Sequence, residues 1–167
     1  MYAIAELQSV GLLPHHSWQD ERDNEWLNFE LDYIWDTYFS DITRVNSVKI
    51  EFARNWKARV GMITLSASGS MTYIGINSLL RYRQVPWFVP TITIAHELVH
   101  YAHGFGSPLP RKYSHPHKGG IVFKELAARG LEKEHNLYTN WLADYWHSFY
   151  SRMTSELTLV PDLSASV

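Results

Sequence analysis

Residues 96–100 read His-Glu-Leu-Val-His, inside the run Thr93-Ile94-Ala95-His96-Glu97-Leu98-Val99-His100. Two histidines four apart fall on one face of a helix, a single turn from each other. Imidazole nitrogens so placed can grip one ion, and in this pattern the ion is zinc. Glu97 sits beside the first of them and reaches water on that ion rather than the ion itself. Zinc lowers the pKa of a bound water to about 7, and a carboxylate there takes the proton as the water attacks a carbonyl. Ile92, Ile94, Ala95, Leu98 and Val99 surround the motif, so the helix is expected to be buried and its ligands rigidly held. A surface helix with two chance histidines would carry charged neighbours instead.

Zinc catalysis needs a third protein ligand and an open position. The downstream candidates are His103, His115, His117, Glu125, Glu132 and Glu134. His103 follows His96 by two turns, but one straight helix does not readily converge three ligands, so it is expected at the rim or behind the others. His115 and His117 end a Gly/Pro-rich loop long enough to fold back over the site. Glu125 belongs to the next helix and would suit a ligand set of two His and one Glu. A metzincin would need glycine at position 103 and histidine at 106, where this chain has His103 and Gly106. No nucleophile elbow supports a Ser-His-Asp site. His15, His16, His135 and His147 have no partner at a useful spacing and are read as structural.

The elements that must position these groups are legible in outline. Residues 17–39 read as a long helix, with Ser17 as N-cap and Asp20 three positions on. Its apolar face is Leu27, Leu31, Ile34 and Tyr38, and its acids lie outside. Val48, Ile50 and Phe52 alternate with Lys49 and Glu51, as in a half-buried strand. A second strand is expected at Val60 to Leu65, then a turn at Ser66–Ser70 and a third strand at Met71–Ile76. Short connections suggest an antiparallel meander, with 71–76 as an edge onto which an extended peptide could add. Asn77 or Ser78 caps a short helical piece through Arg83. Pro90 suits the first position of a helix running to His103 and stopped by Gly104. Residues 104–118 form a loop, and 119–129 form a helix stopped by Gly130. Leu137, Trp141, Tyr145 and Phe149 step along a last helix, and 156–167 read as a loose tail.

The chain has 167 residues and 19.4 kDa, a net charge of −2 and no cysteine. One domain is expected, 1–167, with its core at about 17–153. The absence of cysteine excludes a disulfide framework, a Cys-based zinc ribbon and a thiol nucleophile. Without a basic start or a continuous apolar run, neither a signal peptide nor a membrane span is expected, and the expected location is cytoplasmic. Charge is uneven: residues 1–40 sum to −7, with eight acids and one base, and residues 41–90 to +5, with seven bases and two acids. Arg54, Trp56, Lys57 and Arg59, with Arg81, Tyr82 and Arg83, interleave cations and aromatics as single-strand binders do. The simpler reading is a solvated turn and a helix end.

His96 to Leu131 resembles the SprT-like zinc metalloprotease domain, the family that includes Spartan. The resemblance rests on the HExxH motif, on the later His117-Lys118-Gly119-Gly120-Ile121-Val122-Phe123, and on the amphipathic segment Lys124 to Leu131. Upstream, Arg54 to Gly61 is similar to a basic, aromatic turn between strands, and Ile74 to Leu80 to a strand leading into an Asn-capped helix. The likeness covers roughly residues 20–131. It implies an α+β zincin-like fold, with a small, mostly antiparallel sheet packed on an N-terminal helix and the HExxH helix. By position it implies that His96, His100 and His117 bind Zn²⁺, that Glu97 is the general base, and that a protein or peptide is the substrate. The aromatic residue follows His117 by six positions, further than the family's usual spacing, so His115 stays an alternative ligand, as does Glu125. The competing function is a zinc-bearing, non-proteolytic binding or scaffold protein, associated with DNA through residues 54–59 and 81–83.

Overall fold

The computed structural model describes residues 21–159, so the expected caps Ser17 and Asp20 and the tail beyond 159 lie outside the described residues. Helix α1 runs Asn24–Tyr38 and is capped by Asp23, whose Oδ1 accepts from the Trp26 amide at 2.8 Å. Such a bond satisfies one of the first-turn amides that lack a helical partner. Leu27, Leu31 and Ile34 form the buried face as expected, joined by Trp35.

Three strands follow, β1 (Ser47–Phe52), β2 (Gly61–Leu65) and β3 (Met71–Ile76), in the order β1-β3-β2. The expected antiparallel meander is corrected here. β3 pairs antiparallel with β2 but parallel with β1, Ile50 opposite Ile74. The strand expected at an edge is therefore the central one, and its two sides are already taken. The free edges among the described residues belong to β1 and β2.

Register puts Ile50, Phe52, Thr72, Ile74, Ile76, Gly61 and Ile63 on one face. That face meets α1 and the second helix, α2 (Phe88–Ala102), and both strands and helices contribute to one hydrophobic core. The opposite face is polar, with Lys49 paired to Glu51 at 2.9 Å and Tyr73 donating to Glu51 at 3.0 Å. Asn77 caps the short helical turn Ser78–Arg81 by accepting from the Leu79 amide at 3.1 Å. Its amide nitrogen also donates to the carbonyls of Trp56 and Arg59, at 2.7 and 2.9 Å, which fixes the loop entering β2.

α2 is buried along nearly its whole length, Val89 to Ala102 except His96. Pro90 is its third residue rather than its first. The substitution of one early position for another is tolerated because none of the first four amides has a partner within the helix. Gly104, at φ +77°, ends α2 in the left-handed region, where glycine has no Cβ penalty. After the loop, Gly119 and Gly120 adopt φ of +74° and +68° and lead into α3 (Ile121–Ala128).

The C-terminal segment is helical from α4 (Glu132–Trp141) through a π-helical turn, Leu142–Trp146, into α5 (His147–Leu159). The wide turn inserts one extra residue into the helical repeat. The inward stripe therefore runs Tyr138, Trp146, Phe149 and Met153, while Tyr145, expected inside, is 58% exposed. The last four residues of α5 also belong to what reads in the sequence as tail. No helix among the described residues is long and apolar enough to cross a membrane.

Candidate metal centre

α2 presents His96 and His100 on one face, as their spacing requires. Their rings lie edge to face, centroids 4.7 Å apart. The loop after α2 folds back over this face. Gly106 packs against Ile63 of β2, and its carbonyl accepts from the Thr72 hydroxyl at 2.8 Å. Ser107 donates to the Tyr101 carbonyl at 2.6 Å. The loop delivers His117, whose Nε2 lies 2.9 Å from His100 Nε2 and 3.3 Å from His96 Nε2.

Among the described residues, His96, His100 and His117 are the group whose donor atoms lie close enough to hold a metal, all within 4.8 Å of one another. His115 and Glu125 are not in it. The donor set fits zinc on two counts. Ligands 2.0–2.1 Å from a tetrahedral ion stand about 3.3 Å from each other, near the spacings seen. A ring nitrogen also has either one proton or one lone pair, so His117 Nε2 cannot satisfy both neighbours by hydrogen bonding, whereas a cation satisfies all three. Burial, reinforced by the neighbouring imidazoles, pulls His96 down to about 3 and His100 to about 4. Both rings are thus neutral near pH 7, the form that binds metal.

Glu97, the next residue along the helix, reaches the start of β2. It is 6% exposed, and burial pushes its carboxyl up to about 8, against the opposing pull of Arg59. Gly61, the first residue of β2, comes so close that a Cβ there would lie 2.7 Å from Glu97 Oε1. The carboxyl therefore packs against the first residue of β2.

Glu125 is engaged elsewhere. Its Oε2 lies 3.3 Å from His103 Nε2, and its Oε1 accepts from Arg129 Nε and Nη2 at 3.0 and 2.8 Å. Arg129 continues to Asp41 at 2.6 and 3.1 Å and to the Tyr38 carbonyl at 2.6 Å. Burial raises the Glu125 carboxyl, but the hydrogen bonds from Arg129 and His103 outweigh it and hold it below the usual value. His103 itself is fully buried, behind the three imidazoles rather than among them.

Two groups of the neighbourhood escape a reading by spacing to the motif. Both are on α4. His135 is close enough for its charge to act on His96, and the Tyr138 phenol is close enough to feel Glu97, with burial pushing it up to about 12. The available signal was their own spacing of three, which places them on one face of α4. Compared with family models, with curated proteins and with solved structures, the chain matches none.

Proposed function

We propose that this chain is a zinc-dependent peptidase of the SprT-like, zincin-like kind. The observation that carries the reading is the convergence of three imidazole nitrogens over a helix whose intervening Glu97 is buried beside a free strand edge. His96, His100 and His117 would hold Zn²⁺ and leave a fourth position open. The ion, when bound, supplies Lewis acidity and a water acidic enough to be deprotonated near neutral pH. Glu97 accepts that proton at a carboxylate oxygen and later returns it to the leaving amine nitrogen. A nearby cation favours the ionised carboxylate, which counters the effect of burial on Glu97.

The free edge of β2 replaces the 71–76 strand as the docking rail. An extended peptide adding there gains main-chain hydrogen bonds, and Gly61 at its start brings the rail directly against Glu97. Because β2 recognises backbone, the substrate class is an unfolded or extended polypeptide.

The test is metal content together with cleavage of an unfolded protein. Zinc near one equivalent, cleavage by the parent, and loss of cleavage with zinc retained in Glu97→Gln support the reading. One equivalent of zinc without cleavage of any unfolded protein would leave the scaffold alternative instead.

A further inference from the structure

His117 is exposed, so packing of its own side chain does not hold it in place. It also stands immediately before Lys118 and the two left-handed glycines, where an added Cβ would meet open space at either glycine. Its position must come from the arms on either side. Both arms are pinned to one buried residue, His103: the loop by its ring and backbone carbonyl, the helix by its ring. On the loop side, the Tyr113 ring packs edge-on against His103, centroids 4.8 Å apart, and the Lys112 amide donates to the His103 carbonyl at 3.0 Å. On the helix side, Glu125 of α3 lies 3.3 Å from His103 Nε2 and is itself held by Arg129, which is paired with Asp41. His103 directly follows the end of α2, the helix that carries His96 and His100.

We infer that His103 is the positioning residue of the metal centre, a side chain that binds no metal but sets His117 against the other two imidazoles. The inference rests on the metal reading proposed above. It explains why a fully buried, polar ring is kept three residues beyond His100, where a leucine would pack without a partner. Positioning groups behind metal ligands typically change metal affinity about 10- to 100-fold when removed.

Cobalt(II) is the probe, since its visible absorption reports ligand number and geometry without any turnover. The parent should bind cobalt with the intense bands of a four-coordinate site, and His117→Ala should lose them. His103→Leu, checked for folding by circular dichroism, should weaken cobalt binding about 10- to 100-fold and shift its bands towards those of His117→Ala. His103→Gln, whose amide can still donate to Glu125, should restore much of both. Tyr113→Ala alters an exposed side chain and keeps the test valid if His103→Leu does not fold; it should weaken binding in the same direction. Parent-like affinity and bands in the folded His103→Leu variant, or in Tyr113→Ala if only that one folds, would overturn the inference and leave the metal reading standing. A parent that takes up no cobalt would overturn the metal reading itself, and this inference with it.

Discussion

Replacing Gly61 by alanine would set a methyl carbon 2.6 Å from Thr93 Cγ2 and 2.7 Å from Glu97 Oε1. Both separations lie well inside van der Waals contact, so something must move. Gly61 has no left-handed backbone to blame; the conflict is purely one of space. Overpacking of this kind costs about 1–3 kcal/mol. At roughly 3 °C per kcal/mol for a chain this long, the melting temperature should fall by about 3–9 °C. The functional loss should be larger. If Glu97 yields, its carboxylate moves by a fraction of an ångström to an ångström, and misplacements of that size cost up to about 100-fold in rate. Zinc content should stay at the parent level, because no imidazole is touched. Thr93→Ser removes Cγ2 but keeps the hydroxyl that donates to the Val89 carbonyl at 2.8 Å. The double variant should therefore recover part of the lost stability, a coupling of about 0.5–3 kcal/mol. Scanning calorimetry and a peptidase assay on the four proteins of the cycle measure both. An alanine variant that melts and cleaves like the parent would refute the close approach and Gly61's role in placing Glu97.

Arg22 donates to the carbonyls of Leu80, Tyr82 and Val85 at 3.0–3.1 Å, and its charge opposes the upward shift that burial imposes on Glu30. Arg22→Met should cost about 3 kcal/mol, read by urea denaturation, and adding Glu30→Gln should return part of it. Arg129 holds Asp41 below its usual value by hydrogen bonding and keeps Glu125 low against burial. Carboxyls depressed in the folded state contribute stability that is complete above about pH 5 and lost as the pH falls through their folded values. In Arg129→Met that contribution is missing, so melting temperature against pH should fall less steeply between about pH 5 and 3 than in the parent. Gly120→Ala places a side chain at φ +68° with nothing to clash against, so its cost is the backbone preference alone, about 1–2 kcal/mol. Metal affinity should drop with it, measured by competition with a chromophoric chelator, because the residue steers the chain away from His117.

The helices and the HExxH face were legible because their signals are local. Leu27, Leu31 and Ile34, or His96 and His100, are neighbours through a fixed helical repeat. Asn77 was readable as a cap for the same reason. The sheet order was not. Val48, Ile50 and Phe52 announce a strand with one buried face, but alternation says nothing about which partner it takes or in which direction. The loop from Ala53 to Val60 carries the chain past β3's place, and its anchors, the Asn77 bonds to Trp56 and Arg59, lie far away in sequence. The third ligand was open for a similar reason. His115, His117 and Glu125 are all within reach of a long loop, and only the packing of Gly106 on Ile63 and of Glu125 on His103 and Arg129 separates them. The misplaced Tyr145 has a different origin: it lies within the π turn Leu142–Trp146, and periodicity counted in fours cannot register a step of five, though Phe149 beyond it is buried as expected.

The parallel pairing of β1 with β3 bears on how the chain is made. The middle strand is the last of the three to be translated, so neither Ser47–Phe52 nor Gly61–Leu65 has its lasting neighbour until Met71–Ile76 has left the ribosome. Until then the nascent polypeptide exposes two apolar ribbons. A chaperone that covers such ribbons should therefore engage this protein during the interval between synthesis of residue 52 and emergence of residue 76.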